Sequence, residues 1–201
     1  MRAPHPWRGR VLATGVLAVA GVLATGCAGG AIAQNTPTSN GQSFVSGSPG
    51  TTVFKTGSGP MAPKLSGPKL GGGRLSLAAN RGHVVVLNFW GSWCSPCRAE
   101  APAMAALAAH FASSGVRFLG IDIRDSPATA QAYMSDFRIT YPSFNDPSDN
   151  LALAFRNTVP PAGIPTTLVI SRSGRITARV IGGVTYTGLK SLIGRAVSQP
   201  S

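Results

Sequence analysis

Two cysteines separated by two residues stand at the centre of this chain, in Trp93-Cys94-Ser95-Pro96-Cys97. Such a pair does chemistry when one sulfur, as a thiolate, attacks a disulfide and the second resolves the mixed disulfide that results. The flanking sequence favours that use. Val84-Val85-Val86-Leu87-Asn88-Phe89-Trp90 is apolar except at Asn88 and does not alternate, the pattern of a strand covered on both faces. An alanine-rich stretch with helical spacing follows, from Arg98 to about Phe111. A strand that delivers Cys-x-x-Cys to a helix N-terminus sets the first sulfur where the helix dipole stabilises negative charge. Pro96 suits a first helical turn, where a missing N–H leaves nothing unpaired. Cys94 is therefore expected to be the exposed nucleophile and Cys97 the shielded resolving thiol.

The same pair has two blander readings. Half of a zinc site would need two further ligands, usually a second pair. The remaining cysteine is Cys27 and the histidines are His5, His83 and His110, none of them in a second paired motif. A purely structural disulfide across so short a loop adds little stability. Strand, motif and helix together point to redox chemistry with no metal and no organic cofactor.

Asn88-Phe89-Trp90-Gly91-Ser92-Trp93-Cys94-Ser95-Pro96-Cys97-Arg98-Ala99-Glu100-Ala101-Pro102 resembles the TlpA/ResA branch of the thioredoxin superfamily, and the likeness runs over about 57–196. The resemblance implies an α/β, thioredoxin-like fold: a central mixed β-sheet flanked by helices, with an N-terminal β-hairpin extension. It implies an extracytoplasmic, membrane-tethered thiol-disulfide oxidoreductase acting on protein disulfides or thiols. One known role in that branch is to keep the haem-site cysteines of apocytochrome c reduced, with electrons from a membrane thiol carrier of the CcdA or DsbD type. Two positions separate the branch from thioredoxin itself: Asn88 stands where thioredoxin has a buried Asp, and Glu100 follows Cys97 by three residues. Glu100 has two readings, a partly buried acid that relays protons to the cysteines or an acid placed favourably in a first helical turn. Asn88 either donates a hydrogen bond beneath the site or is polar core. The resemblance also selects Pro165 in Gly163-Ile164-Pro165-Thr166 as a cis-proline lying against the cysteines. Trp93, Ser95, Pro96, Ile164 and Pro165 would line the substrate groove, with Trp90 as structural support.

The chain has 201 residues and a formal charge of +12. Its 14 arginines and 4 lysines are scattered singly outside the leader, with no basic run interleaved with aromatics, so nucleic acid is not an expected partner. A generally basic surface suits anionic membranes or acidic proteins. Residues 1–26 have the layout of an export signal, with Arg2, Arg8 and Arg10 before an apolar run from Val11 to about Thr25. Ala24-Thr25-Gly26-Cys27 resembles a bacterial lipobox, which would make Cys27 the lipidated first residue, although Ala24 departs from the usual Leu. Cleavage after Ala31-Ile32-Ala33 and retention as an uncleaved anchor are the alternatives. Each places the domain outside the cytoplasm. Residues 27–57 are rich in Gly, Ser, Thr, Pro and Asn, which predicts a structureless tether, and 58–198 form the folded domain.

Within the domain, Ala62-Pro63-Lys64-Leu65 and Leu75-Ser76-Leu77 are expected to pair as the opening hairpin across Gly71-Gly72-Gly73. Further strands are predicted at Val116–Ile123, Thr167–Ile170 and Arg175–Ile181. The first helix is predicted to run from near Ser95 to Gly115 with Pro102 inside it. Others begin at Ser126-Pro127, near Asn150 and at Thr185.

The functional reading is a disulfide reductase or exchanger. A disulfide-forming oxidant uses the same residues in reverse, since direction follows redox potential. A peroxidase of the peroxiredoxin type would need Thr-x-x-Cys with a lone reactive thiol, and a non-enzymatic binding lipoprotein would leave the pair inert. If Cys27 is the lipid acceptor, Cys27→Ala releases the domain from membranes or leaves the chain unprocessed. N-terminal sequencing checks this, and a mature wild-type chain beginning at Gln34 contradicts the lipobox.

Overall fold

The computed structural model describes residues 44–46, 50–160 and 163–199, and the leader with Cys27 lies outside them. The strands are β1 (Phe44–Ser46), β2 (Thr51–Phe54), β3 (Ser66–Pro68), β4 (Arg74–Ser76), β5 (Val84–Trp90), β6 (Val116–Ile123), β7 (Ser143–Asp146), β8 (Thr166–Ile170) and β9 (Ile176–Ile181). The helices are α1 (Ser95–His110), α2 (Pro127–Asp136) and α3 (Tyr186–Ser198). One mixed sheet has the order β1-β2-β9-β8-β5-β6-β7, and β3 and β4 pair as a separate hairpin.

β5 is central, parallel to β6 and antiparallel to β8. All seven of its residues are buried, which is why its sequence does not alternate. Val84, Val86 and Trp90 face a core layer shared with Met104 and Leu107 of α1, Tyr133 of α2, and Leu189 and Ile193 of α3. Val85, Leu87 and Phe89 face a second layer made with Phe54, Leu65, Phe144, Phe155 and Val159. The helices start where the sequence supplies caps. Ser126 Oγ accepts the Thr129 N–H, and Thr185 Oγ1 accepts the Gly188 N–H. Pro102 sits inside α1, where it removes one backbone donor without ending the helix.

Four expectations need correction. The segment read as tether contains β2, whose Thr-Thr-Val-Phe run pairs antiparallel with β9, and β1 pairs with β2 in turn. β9 otherwise offers an unpaired edge, and burying Phe54 helps to fix the added strand. The first strand of the hairpin is Ser66–Pro68, not 62–65. Ala62 instead hydrogen-bonds to the Gly174 carbonyl. α1 ends at His110, and turns bridge to Gly115, which takes a left-handed φ of 69°. The helix expected near Asn150 is a short 3₁₀ turn, Ala152–Phe155.

That turn is held by one buried carboxylate. Asp146 Oδ2 accepts the N–H groups of Leu151 at 3.0 Å and Ala152 at 2.8 Å. Asp146→Ala strands both donors and is expected to cost about 1–3 kcal/mol of unfolding free energy by chemical denaturation. A change within about 0.5 kcal/mol would show that solvent replaces the carboxylate.

Candidate active site

Cys94 is the N-cap of α1, and its sulfur accepts the Cys97 N–H at 3.2 Å. The two sulfurs form a disulfide, with Cα atoms 5.2 Å apart. Both therefore lie at the positive end of the helix, where a thiolate is stabilised. Cys94 is 5% exposed and Cys97 0%. Cys94 is the more accessible of the two residues, but it is buried, where the sequence predicts an exposed nucleophile. Bonded to Cys97 and turned onto that residue's N–H, it lies against the helix end. Trp93 is 52% exposed beside it and donates its indole N–H to the Ile123 carbonyl. Ser95 and Pro96 are exposed on the first turn.

Glu100 lies one turn beyond Cys97 on the same helix. The first turn of α1 holds no acid, so the helix-terminus reading of Glu100 does not apply. Its side chain is buried and doubly held. Oε1 accepts the Asn88 amide N–H at 2.8 Å, and Oε2 accepts the Val184 backbone N–H at 2.9 Å. Asn88 also donates to Thr167 Oγ1 at 3.1 Å, across the β5–β8 ladder where the two residues are paired. Burial drives the Glu100 pKa up to about 7, outweighing the Val184 and Asn88 hydrogen bonds that lower it. Relative to an unfolded value of 4.5, the native state keeps a proton that the unfolded chain has lost. Stability therefore falls as pH rises from 4.5 to 7, by up to about 3 kcal/mol.

The Ile164–Pro165 peptide is cis. Pro165 is buried, and its carbonyl accepts the Gly182 N–H at 2.8 Å. The segment from Gly182 to Val184 thus connects the proline loop to Glu100. Trp90 is buried and stacks on Tyr133 at 4.5 Å, and the Tyr133 hydroxyl donates to the Cys97 carbonyl at 2.9 Å.

Several residues around the site were not singled out from sequence. Asp125 grips the loop before Trp93: one carboxylate oxygen accepts the Ser92 N–H and the other the Ser92 hydroxyl, each at 2.6 Å. Asp122 is completely buried, and its carboxylate oxygens meet no donor. Burial first, then Asp125 and Asp146, push its pKa up to about 8. Tyr133 reads in sequence as an apolar helix position. The Asp-Ser-Pro run at 125–127 marks a helix start but not a grip on residue 92. Among the described residues no group of three or more His, Cys, Asp or Glu is placed to hold a metal ion.

Residues 58–179 match the model of the AhpC/TSA family. The thiol-disulfide oxidoreductase ResA of Bacillus subtilis is 32% identical over 127 residues, covering 63% of this chain and 69% of ResA. A secreted thiol-disulfide isomerase from Corynebacterium glutamicum superposes with a TM-score of 0.71 at 29% identity, over 79% of this chain and all of that one. A DsbF homologue from Corynebacterium diphtheriae gives 0.69 at 31% identity, over 77% of this chain and 98% of that one. This chain carries a Cys-x-x-Cys pair at the head of a helix in a thioredoxin-like sheet, and it belongs to the AhpC/TSA family as a thiol-disulfide oxidoreductase of the ResA type.

Proposed function

We propose that the chain acts outside the cytoplasm as a reductant or exchanger of protein disulfides, with apocytochrome c cysteines as one substrate class. Cys94 as thiolate attacks one sulfur of a substrate disulfide, forms the mixed disulfide and expels the other sulfur as a thiolate. Cys97 then loses its proton, attacks Cys94 and releases the second substrate sulfur. The net exchange converts one enzyme dithiol and one substrate disulfide into one enzyme disulfide and two substrate thiols. Reducing equivalents would return from a membrane thiol carrier of the CcdA or DsbD type. The observation that carries the reading is the Glu100 carboxyl, buried one turn from Cys97 with a pKa of about 7. It can take the Cys97 proton as that thiol attacks and return it when the pair is reduced again. The groove roles of Trp93, Ser95, Pro96, Ile164 and Pro165, and the support from Asn88 and Trp90, belong to the same reading. The export-type leader with Cys27 supports an extracytoplasmic, lipid-anchored placement, and the Corynebacterium glutamicum relative is described as secreted.

The direct test is a trap. Cys97→Ser cannot resolve the mixed disulfide, so substrate proteins are expected to accumulate linked to Cys94 and to be released by dithiothreitol. Equal capture by a Cys94→Ser, Cys97→Ser double variant would contradict the reading.

Glu100→Gln keeps the shape and removes the titration, and Asn88 can turn its amide to accept from the new NH₂. Above pH 7 the wild-type carboxylate disfavours a nearby thiolate. The variant is therefore expected to lower the Cys94 pKa by about one unit. It should also slow exchange on the order of 100-fold with the fold intact. The pH dependence of Cys94 alkylation in the reduced proteins checks this, and superimposable curves would remove Glu100 from the mechanism.

A further inference from the structure

On the sheet face opposite Glu100, a cavity of about 50 Å³ opens between Ile164 and the 3₁₀ turn. We propose that it receives an apolar side chain of the substrate polypeptide, and that arginines at its rim favour an acidic residue beside that side chain. The inference rests on the thiol-exchange reading above and adds a substrate preference to it.

Position is the first argument. Phe89, Ile123, Val159 and Ile164 form the apolar lining. Ile164 packs against the core layer that contains Cys94 and Cys97 and also against the opposite layer. The Ile123 carbonyl holds the indole of Trp93, the residue next to Cys94. A polypeptide whose cysteine reaches Cys94 passes within a few residues of this cavity.

Exposure is the second. Among the described residues the exposed large hydrophobic side chains are Met61, Trp93 at 52% and Leu153 at 46%. Leu153 lines the cavity, and Trp93 adjoins it through Ile123. Exposed apolar surface that continues into a cavity marks a contact site more often than isolated surface residues do. The cavity volume equals roughly four water-sized spheres at about 10–15 Å³ each.

The rim supplies the charge. Arg124 and Asp149 form an ion pair at the edge of the cavity. Both are non-glycine residues in the left-handed region, with φ of 55° and 60°. Such backbone persists where the surroundings over-determine it, commonly at functional sites. Arg156 also lines the cavity and is exposed, and among the described residues its guanidinium makes no hydrogen bond or ion pair. Two cations against one carboxylate leave the rim positive. An acidic residue next to the inserted apolar one would complement Arg156.

The test uses the full reduced chain and symmetric disulfides of capped heptapeptides, each with a central cysteine. One series carries Leu-Glu two residues before or after the cysteine, a second Gly-Glu and a third Leu-Lys. The protein dithiol gives two electrons to each peptide disulfide, yielding the protein disulfide and two peptide thiols, and acid quenching reads the second-order rate constant. For at least one placement the wild type is expected to prefer Leu-Glu to Gly-Glu by about tenfold or more. It should also prefer Leu-Glu to Leu-Lys, more strongly at low salt. Leu153→Asp should bring the Leu/Gly ratio close to one, and Arg156→Glu should invert the Glu/Lys order. Each ratio is taken within one variant, so a general loss of rate cannot imitate the result. A wild type without Leu preference, or an unchanged ratio in Leu153→Asp, overturns the subsite and leaves thiol exchange standing. A wild type that reduces none of the peptides overturns both.

Discussion

A buried carboxyl group one helical turn beyond the disulfide is the constraint around which this site is built. Glu100 leaves α1 one turn after Cys97 and is met by a donor from the middle of β5 and by another from the segment leading into α3. Three segments, one of them 84 residues away, therefore converge on one side chain. The arrangement is costly, because an ionised carboxylate loses its hydration there. Two hydrogen bonds offset part of that cost, and protonation near neutral pH removes most of the rest. In the proposed mechanism, the acid that destabilises the fold as pH rises is the one that exchanges a proton with the thiols.

Asn88 explains how β5 tolerates this group. It is the polar residue in an otherwise apolar, fully buried strand, and its amide is spent on Glu100 and Thr167. An aspartate at 88 would set a second carboxylate against Glu100. An amide supplies a donor instead. The loop ahead of the cysteines is fixed separately by Asp125 through Ser92, and the far side of Cys97 by Tyr133 through its carbonyl. The chain on both sides of the disulfide is thus held, while Trp93 and the first helical turn remain exposed.

The features legible in the sequence are those written locally. The apolar run of β5, the Cys-x-x-Cys, Pro96 and the caps Ser126 and Thr185 each announce themselves within a few residues. Pro165 was reached only through the family resemblance, because nothing local separates it from Pro160. What stayed hidden depends on distance along the chain. Val184 lies 84 residues from Glu100, and its N–H is unremarkable until the chain folds. Asp125 and Ser92 are 33 apart. β2 was lost for a different reason: four strand-forming residues between Gly- and Ser-rich segments read as tether until the open edge of β9 recruits them.

Glu100 is the only glutamate in the 201 residues, so its charge can be observed without interference. Protein labelled with glutamate carrying ¹³C at the side-chain carboxyl gives one resonance to follow against pH in the oxidised state. A buried, doubly hydrogen-bonded acid predicts a midpoint close to 7. A midpoint near 4.5, the ordinary value, would show a solvated carboxylate that is fully ionised at neutral pH and holds no proton for the cysteines.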